Sequence, residues 1–246
     1  VVQPGDQVLI PEPCFVCYAP IVTLAGGTPV PIVTRAEDEF RLTADQLRNA
    51  ITPKTRLLVL PFPNNPTGAV MRREDLEAIA EVLRETDIVV LSDEIYAELT
   101  YGGKHTSIAS IDGMYERTVL VSGFSKAYAM TGWRLGYACG DEAVIAAMTK
   151  IHQYAIMSAP TTSQHAAEEA MRNGDHDIEM MKNEYNYRRK IILEGMRDMG
   201  LDCFEPQGAF YVFPSIQRTG MTSGEFCNQL LNDQKVAVVP GDAFGA

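Results

Sequence analysis

The sequence lacks the long apolar runs, the cysteine pairs and the basic excess that mark several large classes of protein. None of its 246 residues belong to an apolar stretch near the roughly 20 residues that a helix needs to cross a bilayer, which excludes a membrane-spanning protein. Five cysteines, an odd number, argue against a disulfide scaffold, so we expect a reducing, cytoplasmic setting. The net charge of −11 disfavours nucleic acid and membrane surfaces as partners.

Both ends of the chain lack what a complete protein usually shows. It opens with VVQPGDQ, without a starting methionine or a charged leader, and it stops at GDAFGA. We therefore expect a fragment of a longer protein. The hydrophobic content of 46% is still ample for a core, and the length suits one large domain or two smaller ones.

The first two thirds of the chain alternate short apolar runs with helical patterns. The runs are rich in Val, Ile and Leu without polar alternation, which is typical of parallel strands buried on both faces. Between them, residues 43–51 open with a capping box, and residues 73–84 carry apolar side chains at helical spacing. This pattern predicts an α/β fold, with a mostly parallel central sheet and helices on both faces. The six apolar runs are 8–10, 30–33, 57–60, 88–91, 119–121 and 135–139.

The pattern changes after residue 142, where helices follow one another and two strand candidates, 209–214 and 236–239, come late. This mixed order indicates a smaller α+β domain. We place the boundary inside a long connecting helix, which gives a large domain at 1–185 and a truncated small domain at 186–246. The helical patterns are 142–157, 162–171, 177–199 and a capped helix that begins at Thr222.

Four chemically distinctive signals lie where apolar runs end. PFPNNPTG, SDEIY and SGFSK each follow one run, and Arg134 lies eight residues past Lys126. The carboxyl ends of parallel strands meet at one edge, where open α/β sheets bind ligands. Taken singly, NNPTG is explained as a turn, Asp93 as a helix cap or surface ion pair, and the two cations as surface residues. Their joint order and spacing indicate one site.

With PNNPTG, SDEIY and SGFSKAYAMTGWRLGY, the chain resembles the class I and II aminotransferases, enzymes of the aspartate aminotransferase fold (fold type I) that use pyridoxal 5′-phosphate (PLP). The resemblance covers the whole chain. It implies a large PLP-binding domain and an enzyme that moves an amino group from an L-amino acid to a 2-oxo acid. The reaction would follow a ping-pong route through a Schiff base on Lys126. The lysine block is most similar to the aspartate and aromatic types, and the resemblance implies a homodimer.

The same resemblance assigns roles to individual residues. Lys126 forms the Schiff base and, once free, carries a proton. Asp93 pairs with the ring nitrogen and keeps it protonated. Tyr96 and Asn65 hydrogen-bond the ring's phenolic oxygen, and Arg134 takes the phosphate as a fork-shaped donor. The expected catalytic residues are thus Lys126, Asp93 and Tyr96.

Two further cofactor contacts are expected. Phe15 aligns with the aromatic residue that stacks on the cofactor ring, whereas Tyr18 is expected to be structural or to line the site less directly. Many relatives carry a serine three residues before the lysine, where this chain has Gly123. We expect Ser125 to contact the phosphate instead, with Ser122 and the Gly123 amide as alternatives.

Other interpretations stay open from the sequence. A PLP-dependent C–S β-lyase shares every motif quoted, and a non-catalytic effector domain of a transcription regulator would share the fold. Cys14 and Cys17 form a CxxC without a second pair at metal spacing, so we expect no metal site and no redox role.

Relatives also carry a preceding phosphate-binding segment and a later arginine that grips the substrate carboxylate. We therefore expect these 246 residues alone to bind PLP weakly and to expose apolar surface.

Overall fold

A six-stranded sheet forms the centre of residues 1–245, the part of the chain that the computed structural model describes. Its strands are β1 (Gln7–Glu12), β2 (Thr28–Val33), β3 (Thr55–Pro61), β4 (Val89–Asp93), β5 (Thr118–Gly123) and β6 (Gly136–Cys139). Their order across the sheet is β2-β1-β3-β4-β5-β6. All neighbours are parallel except β5 and β6, which are antiparallel. The mostly parallel sheet expected from the sequence is confirmed.

The sixth strand departs from that expectation, because a buried, parallel strand was predicted at 135–139. A parallel return needs a crossover connection, usually a helix. The chain between β5 and β6 contains only the 3₁₀ turn Thr131–Trp133, so it doubles back antiparallel. Gly136, Tyr137 and Cys139 are exposed, because β6 forms the edge of the sheet.

Helices cover both faces of the sheet, as predicted. Along β1, Leu9 packs in the core cluster beneath the second and third helices, whereas Val8 and Ile10 pack in a separate cluster with the first helix. This two-residue alternation is the ordinary consequence of strand geometry. The helices are α1 (Tyr18–Leu24), α2 (Ala44–Ala50), α3 (Arg73–Leu83), α4 (Glu142–Ala155), α5 (Thr161–Asn173), α6 (Asp175–Asp198) and α7 (Ser223–Gln234).

The local helix signals of the sequence form as expected. Capping boxes begin α2 at Thr43 and α7 at Thr222, in each case with the residue three positions later. Helix α3 buries Leu76, Ile79 and Leu83 against the sheet. Each such side chain stabilises the fold by about 1.5–3 kcal/mol relative to exposure.

The late part of the chain differs from the prediction. Neither 209–214 nor 236–239 forms a strand: Ala209 has φ +56°, a left-handed conformation that interrupts an extended chain, and 236–239 pairs with no strand among residues 1–245. The prediction that these two segments form strands of the small domain is therefore wrong. Helix α6 runs continuously through the proposed boundary, and the division into 1–185 and 186–246 stays a prediction. In residues 1–245, no helix is both long and apolar enough to cross a membrane.

Candidate active site

A cavity of about 330 Å³ lies at the carboxyl ends of β3, β4 and β5. Parallel strands bring their final residues and the following loops to this one edge. The cavity also receives Tyr18 from helix α1 and Tyr211 from the segment after α6. Every cofactor contact expected from the sequence lies on its wall, namely Phe15, Asn65, Asp93, Tyr96, Ser125, Lys126 and Arg134.

Asp93, the last residue of β4, is the half-buried carboxylate of the cavity. Tyr18 donates its hydroxyl to Oδ2 at 2.7 Å, and the amide of Ile95 donates to Oδ1 at 3.1 Å. Burial raises the pKa of Asp93 above its ordinary value despite these two bonds, and the nearby charge of Glu94 adds to the rise. The carboxylate is therefore insufficiently compensated, and a cationic N–H donor in the cavity would stabilise it.

Tyr18 has a more direct place in the site than the sequence suggested. Besides its bond to Asp93, it lines the cavity at the first turn of helix α1. Burial and the adjacent Asp93 charge raise the pKa of its phenol, which keeps it a neutral donor. No local signal around Tyr18 in the sequence pointed to Asp93, which lies 75 residues later.

Lys126 projects into an aromatic environment after the end of β5. Its Nζ lies 5.8 Å from the ring centre of Tyr96 and 5.6 Å from that of Phe210, within the range of cation–π contacts. In the described part of the chain, no carboxylate lies within ion-pair distance of this amine. The amine is thus held by ring faces and stays accessible to the cavity.

The hydroxyl of Tyr96 meets two polar side chains. It lies 2.6 Å from the hydroxyl of Tyr211. Burial raises the pKa of the Tyr96 phenol, Tyr211 raises it further, and a side-chain hydrogen bond with Asn65 opposes the rise. Tyr211 was not anticipated from the sequence, because nothing in the local pattern around it points towards a strand end far earlier in the chain.

Arg134 and several hydroxyl groups occupy another part of the cavity wall. Arg134 has φ +53°, and its Nη1 donates to the Thr131 carbonyl at 2.8 Å. Thr131 in turn donates its hydroxyl to the Ser125 carbonyl at 2.7 Å. Arg134 has no carboxylate partner within residues 1–245, so its charge is available to an anion.

The three candidates for phosphate contact near the lysine differ in position. Ser122 and Ser125 line the cavity, but Ser122 already donates to the Glu94 carbonyl at 3.2 Å. Gly123 is not on the wall; a Cβ there would lie 2.9 Å from the Gly136 Cα on β6. The close approach of β6 therefore explains a glycine where a serine was expected, and Ser125 has the freer hydroxyl.

The NNPTG loop is a rigid turn that presents Asn65. The Asn64 side chain accepts from the Thr67 amide at 3.1 Å and from its hydroxyl at 2.8 Å. Gly68 has φ +73°, and a Cβ there would lie 2.2 Å from Pro206 Cβ. Only glycine satisfies both the turn and this close contact. The turn therefore supports both the cavity wall and the later segment that packs against it.

Glu94 lies behind the cavity in a separate polar cluster. Its carboxylate accepts from Ser92 at 2.9 Å and from Ser107 at 2.6 Å, and its Oε2 lies 2.9 Å from His105 Nε2. Burial by itself would raise the pKa of Glu94, but the contacts with His105, Ser107 and Ser92 have the larger combined effect and lower it. We call Ser92, Glu94, His105 and Ser107 the Glu94 cluster; it anchors the loop after β4.

The CxxC pair has the chemistry of structural cysteines. Burial raises the pKa of Cys14 to about 12, with smaller contributions from Glu12 and Cys17. Burial also raises the pKa of Cys17, and the Asp93 charge adds to this. Both thiols therefore stay protonated and weakly nucleophilic. Residues 1–245 contain no group of three or more His, Cys, Asp or Glu side chains placed to hold a metal ion.

Comparison with known proteins identifies close relatives. The sequence profile of the family described as aminotransferase class I and II matches residues 1–246. The chain is 49% identical to the aspartate aminotransferase of Pyrococcus abyssi (strain GE5 / Orsay) and 48% identical to aromatic-amino-acid aminotransferase 2 of Thermococcus litoralis, each over 98% of this chain and 63% of the relative. It thus spans just under two thirds of these relatives. The solved aromatic aminotransferase from Pyrococcus horikoshii OT3 matches with a TM-score of 0.97 at 47% identity, over 100% of this chain and 67% of that one.

Proposed function

The chain belongs to the class I and II aminotransferases, and on this premise we propose that the whole protein is a PLP-dependent aminotransferase. It would move an amino group from an L-amino acid to a 2-oxo acid by a ping-pong mechanism. The aspartate and aromatic specificities named for its relatives support that substrate range. The observation that carries the proposal is Asp93, a half-buried carboxylate with a raised pKa on the wall of the same cavity as an accessible lysine.

The cavity residues fit this cofactor. When bound, PLP supplies a carbonyl group that reacts with amines and a protonated ring that withdraws electrons from the carbon being deprotonated. Asp93 would hold the proton at the ring nitrogen, since a cationic N–H offsets the cost of its burial. Arg134 and Ser125 would hold the phosphate with donors that have no carboxylate to satisfy. A volume of about 330 Å³ is suitable for a small ligand.

The remaining residues would orient and move protons. Tyr96 and Asn65 would donate to the ring's phenolic oxygen, and Phe15, 44% exposed at the rim, would stack on the ring. Lys126 would hold the carbonyl carbon covalently and, once displaced by the substrate amine, would carry a proton as general base and acid. Tyr18 would keep Asp93 oriented through its 2.7 Å hydrogen bond.

The wider setting is part of the same proposal. The family resemblance supports a homodimer, which sedimentation analysis of the full-length protein would test. All five cysteines are free, which supports the cytoplasm as the compartment. The division into a large domain at 1–185 and a small domain at 186–246 would be tested by limited proteolysis.

The full-length protein with PLP provides the direct test. We expect visible cofactor absorbance and amino transfer to 2-oxoglutarate, with both the covalent attachment and the transfer lost in Lys126→Ala. Lys54→Ala is the matched control, because this lysine is exposed and lies outside the cavity wall. Normal transfer by Lys126→Ala would overturn the proposal. Release of pyruvate and a thiol from cystathionine without amino transfer would instead identify a C–S β-lyase.

A further inference from the structure

We propose that Tyr211 is a positioning residue that sets the direction of the Tyr96 hydroxyl proton. The inference rests on the proposed function, because it concerns how Tyr96 would donate a hydrogen bond to the cofactor's phenolic oxygen. The two hydroxyl oxygens lie 2.6 Å apart, at the short end of hydrogen-bond distances. Tyr211 reaches Tyr96 across 115 residues of sequence, so this contact exists only in the folded chain.

Backbone contacts hold Tyr211 in place. Ala209, with φ +56°, turns the chain two residues before Tyr211, and its amide donates to the Leu99 carbonyl at 3.0 Å. The Gly208 amide donates to the Gly68 carbonyl at 2.9 Å, and the Tyr101 hydroxyl donates to the Ala209 carbonyl. These bonds join the segment to the loops that follow β3 and β4. Tyr211 therefore has little freedom to leave its partner.

The rings around this pair reinforce the arrangement. Tyr96 packs edge-to-face on Tyr211, with ring centres 5.8 Å apart, and on Phe210 at 5.5 Å. Tyr185 stacks on Phe210 with ring centres 5.0 Å apart. The titratable groups that face the two hydroxyls are Lys126, Asp93 and Tyr185. The phenol pair thus lies between the lysine and the remainder of the aromatic cluster.

The number of protons on the two phenols determines what Tyr211 can do for Tyr96. A phenol donates one hydrogen bond and can accept others, so only one of two paired phenols can donate within the pair. If Tyr96 donates to Tyr211, it offers the cavity only lone pairs. Their bond raises the pKa of Tyr96 and opposes the rise in the pKa of Tyr211, as expected when Tyr96 donates in a cavity without an anion. An anionic oxygen in the cavity would draw the Tyr96 proton to itself. Tyr211 would then donate to Tyr96, and the chain of bonds would strengthen the donation to the anion. Without Tyr211, Tyr96 becomes a weaker and less directed donor.

Tyr211→Phe in the full-length, PLP-loaded protein tests this inference. The readout is the pH midpoint of the cofactor's visible absorbance. A good donor stabilises the ring's phenolate, so the bound cofactor takes up its proton at lower pH. Loss of the Tyr211 hydroxyl should therefore raise the midpoint by about 0.5–1 pH unit, the shift that corresponds to one hydrogen bond.

Tyr185→Phe is the matched control, because it removes a phenol of the same aromatic cluster that, within residues 1–245, has no hydrogen bond to the Tyr96 hydroxyl. Its midpoint should equal the wild-type value. If Tyr211 acts through Tyr96, Tyr96→Phe and the double variant Tyr96→Phe/Tyr211→Phe should share one midpoint, since the two changes are then not additive.

The outcomes separate this inference from the proposed function. An unchanged midpoint in Tyr211→Phe, or an additive shift in the double variant, would overturn the role of Tyr211 while leaving the aminotransferase proposal intact. A wild-type protein that shows no cofactor absorbance would overturn both. Equal thermal midpoints of unfolding for the Tyr211→Phe and Tyr185→Phe proteins would exclude a folding defect as the cause of a shift.

Discussion

Asp93 and Glu94 are neighbours in sequence, yet they serve two differently built regions. Asp93 lies on the cavity wall, where burial prevails and raises its pKa. Glu94 lies in the Glu94 cluster, where three side-chain contacts prevail over burial and lower its pKa. The comparison teaches that burial alone does not identify a functional carboxylate. A functional carboxylate is better identified by a charge that its protein neighbours do not fully stabilise, because a cationic group of a ligand can then stabilise it.

Replacement of Asp93 should give the largest effect and the clearest separation of the two regions. Asp93→Asn keeps the shape but removes the charge that would hold a proton on the ring nitrogen. We expect a fall in kcat/KM for amino transfer of about 10²–10⁴-fold. The free energy of unfolding of the cofactor-free protein should not decrease, since the burial cost of a charge is removed. A large loss of stability would show that the Asp93 charge stabilises the fold as the Glu94 charge does.

Replacement of Glu94 should act mainly on stability. Glu94→Ala leaves the hydroxyls of Ser92 and Ser107 without their acceptor and removes the buried carboxylate beside His105. We expect a loss of about 3–5 kcal/mol in the free energy of unfolding, measured by urea titration. Glu98→Ala is the matched control, because that carboxylate is exposed. Equal stability of the Glu94 and Glu98 variants would show that the cluster is not an anchor.

One added atom should disrupt the close packing between the NNPTG turn and the later segment around Pro206. Gly68→Ala adds a Cβ that would meet Pro206, and it does so at φ +73°. We expect a loss of about 2–4 kcal/mol in the free energy of unfolding, from overpacking and backbone strain together. Gly113→Ala, at φ +75° with open space around its Cβ, isolates the strain alone. Equal losses in both variants would remove the packing argument.

The smallest effect concerns pH, and the two carboxylates should respond in opposite directions. Glu94 has a folded pKa below its ordinary value of 4.5, so its stabilisation is present above pH 4.5 and is lost as pH falls through the folded pKa. Asp93 has a folded pKa above its ordinary value of 3.8, so its contribution is present below pH 3.8 and is lost as pH rises through the folded pKa.

Thermal midpoints of the cofactor-free protein between pH 3 and 7 (a range that brackets both ordinary values) provide the measurement. When the pH is lowered, the Glu94→Gln protein should lose less stability than the wild type. When the pH is raised from 3 towards 7, the Asp93→Asn protein should lose less stability than the wild type. Parallel pH curves for wild type and both variants would show that neither carboxylate is coupled to folding in this way.

Local signals in the sequence anticipated the sheet, the capped helices and the chemistry at the strand ends. The apolar runs correctly predicted five parallel strands, although β2, at the edge of the sheet, is mostly exposed or half-buried rather than buried on both faces. They failed for β6, since strand direction depends on the connection rather than on the run itself. They failed again at 209–214, where Ala209 has a left-handed backbone conformation that interrupts an extended chain.

The sequence by itself determined which chemical groups stand at the strand ends, because Asp93, Lys126 and Arg134 belong to short motifs whose order is visible in one dimension. Only the tertiary structure decided their partners. Tyr18 meets Asp93 across 75 residues, and Tyr211 meets Tyr96 across 115. No local pattern encodes such pairs, because they depend on where separate loops converge once the sheet and its helices have packed.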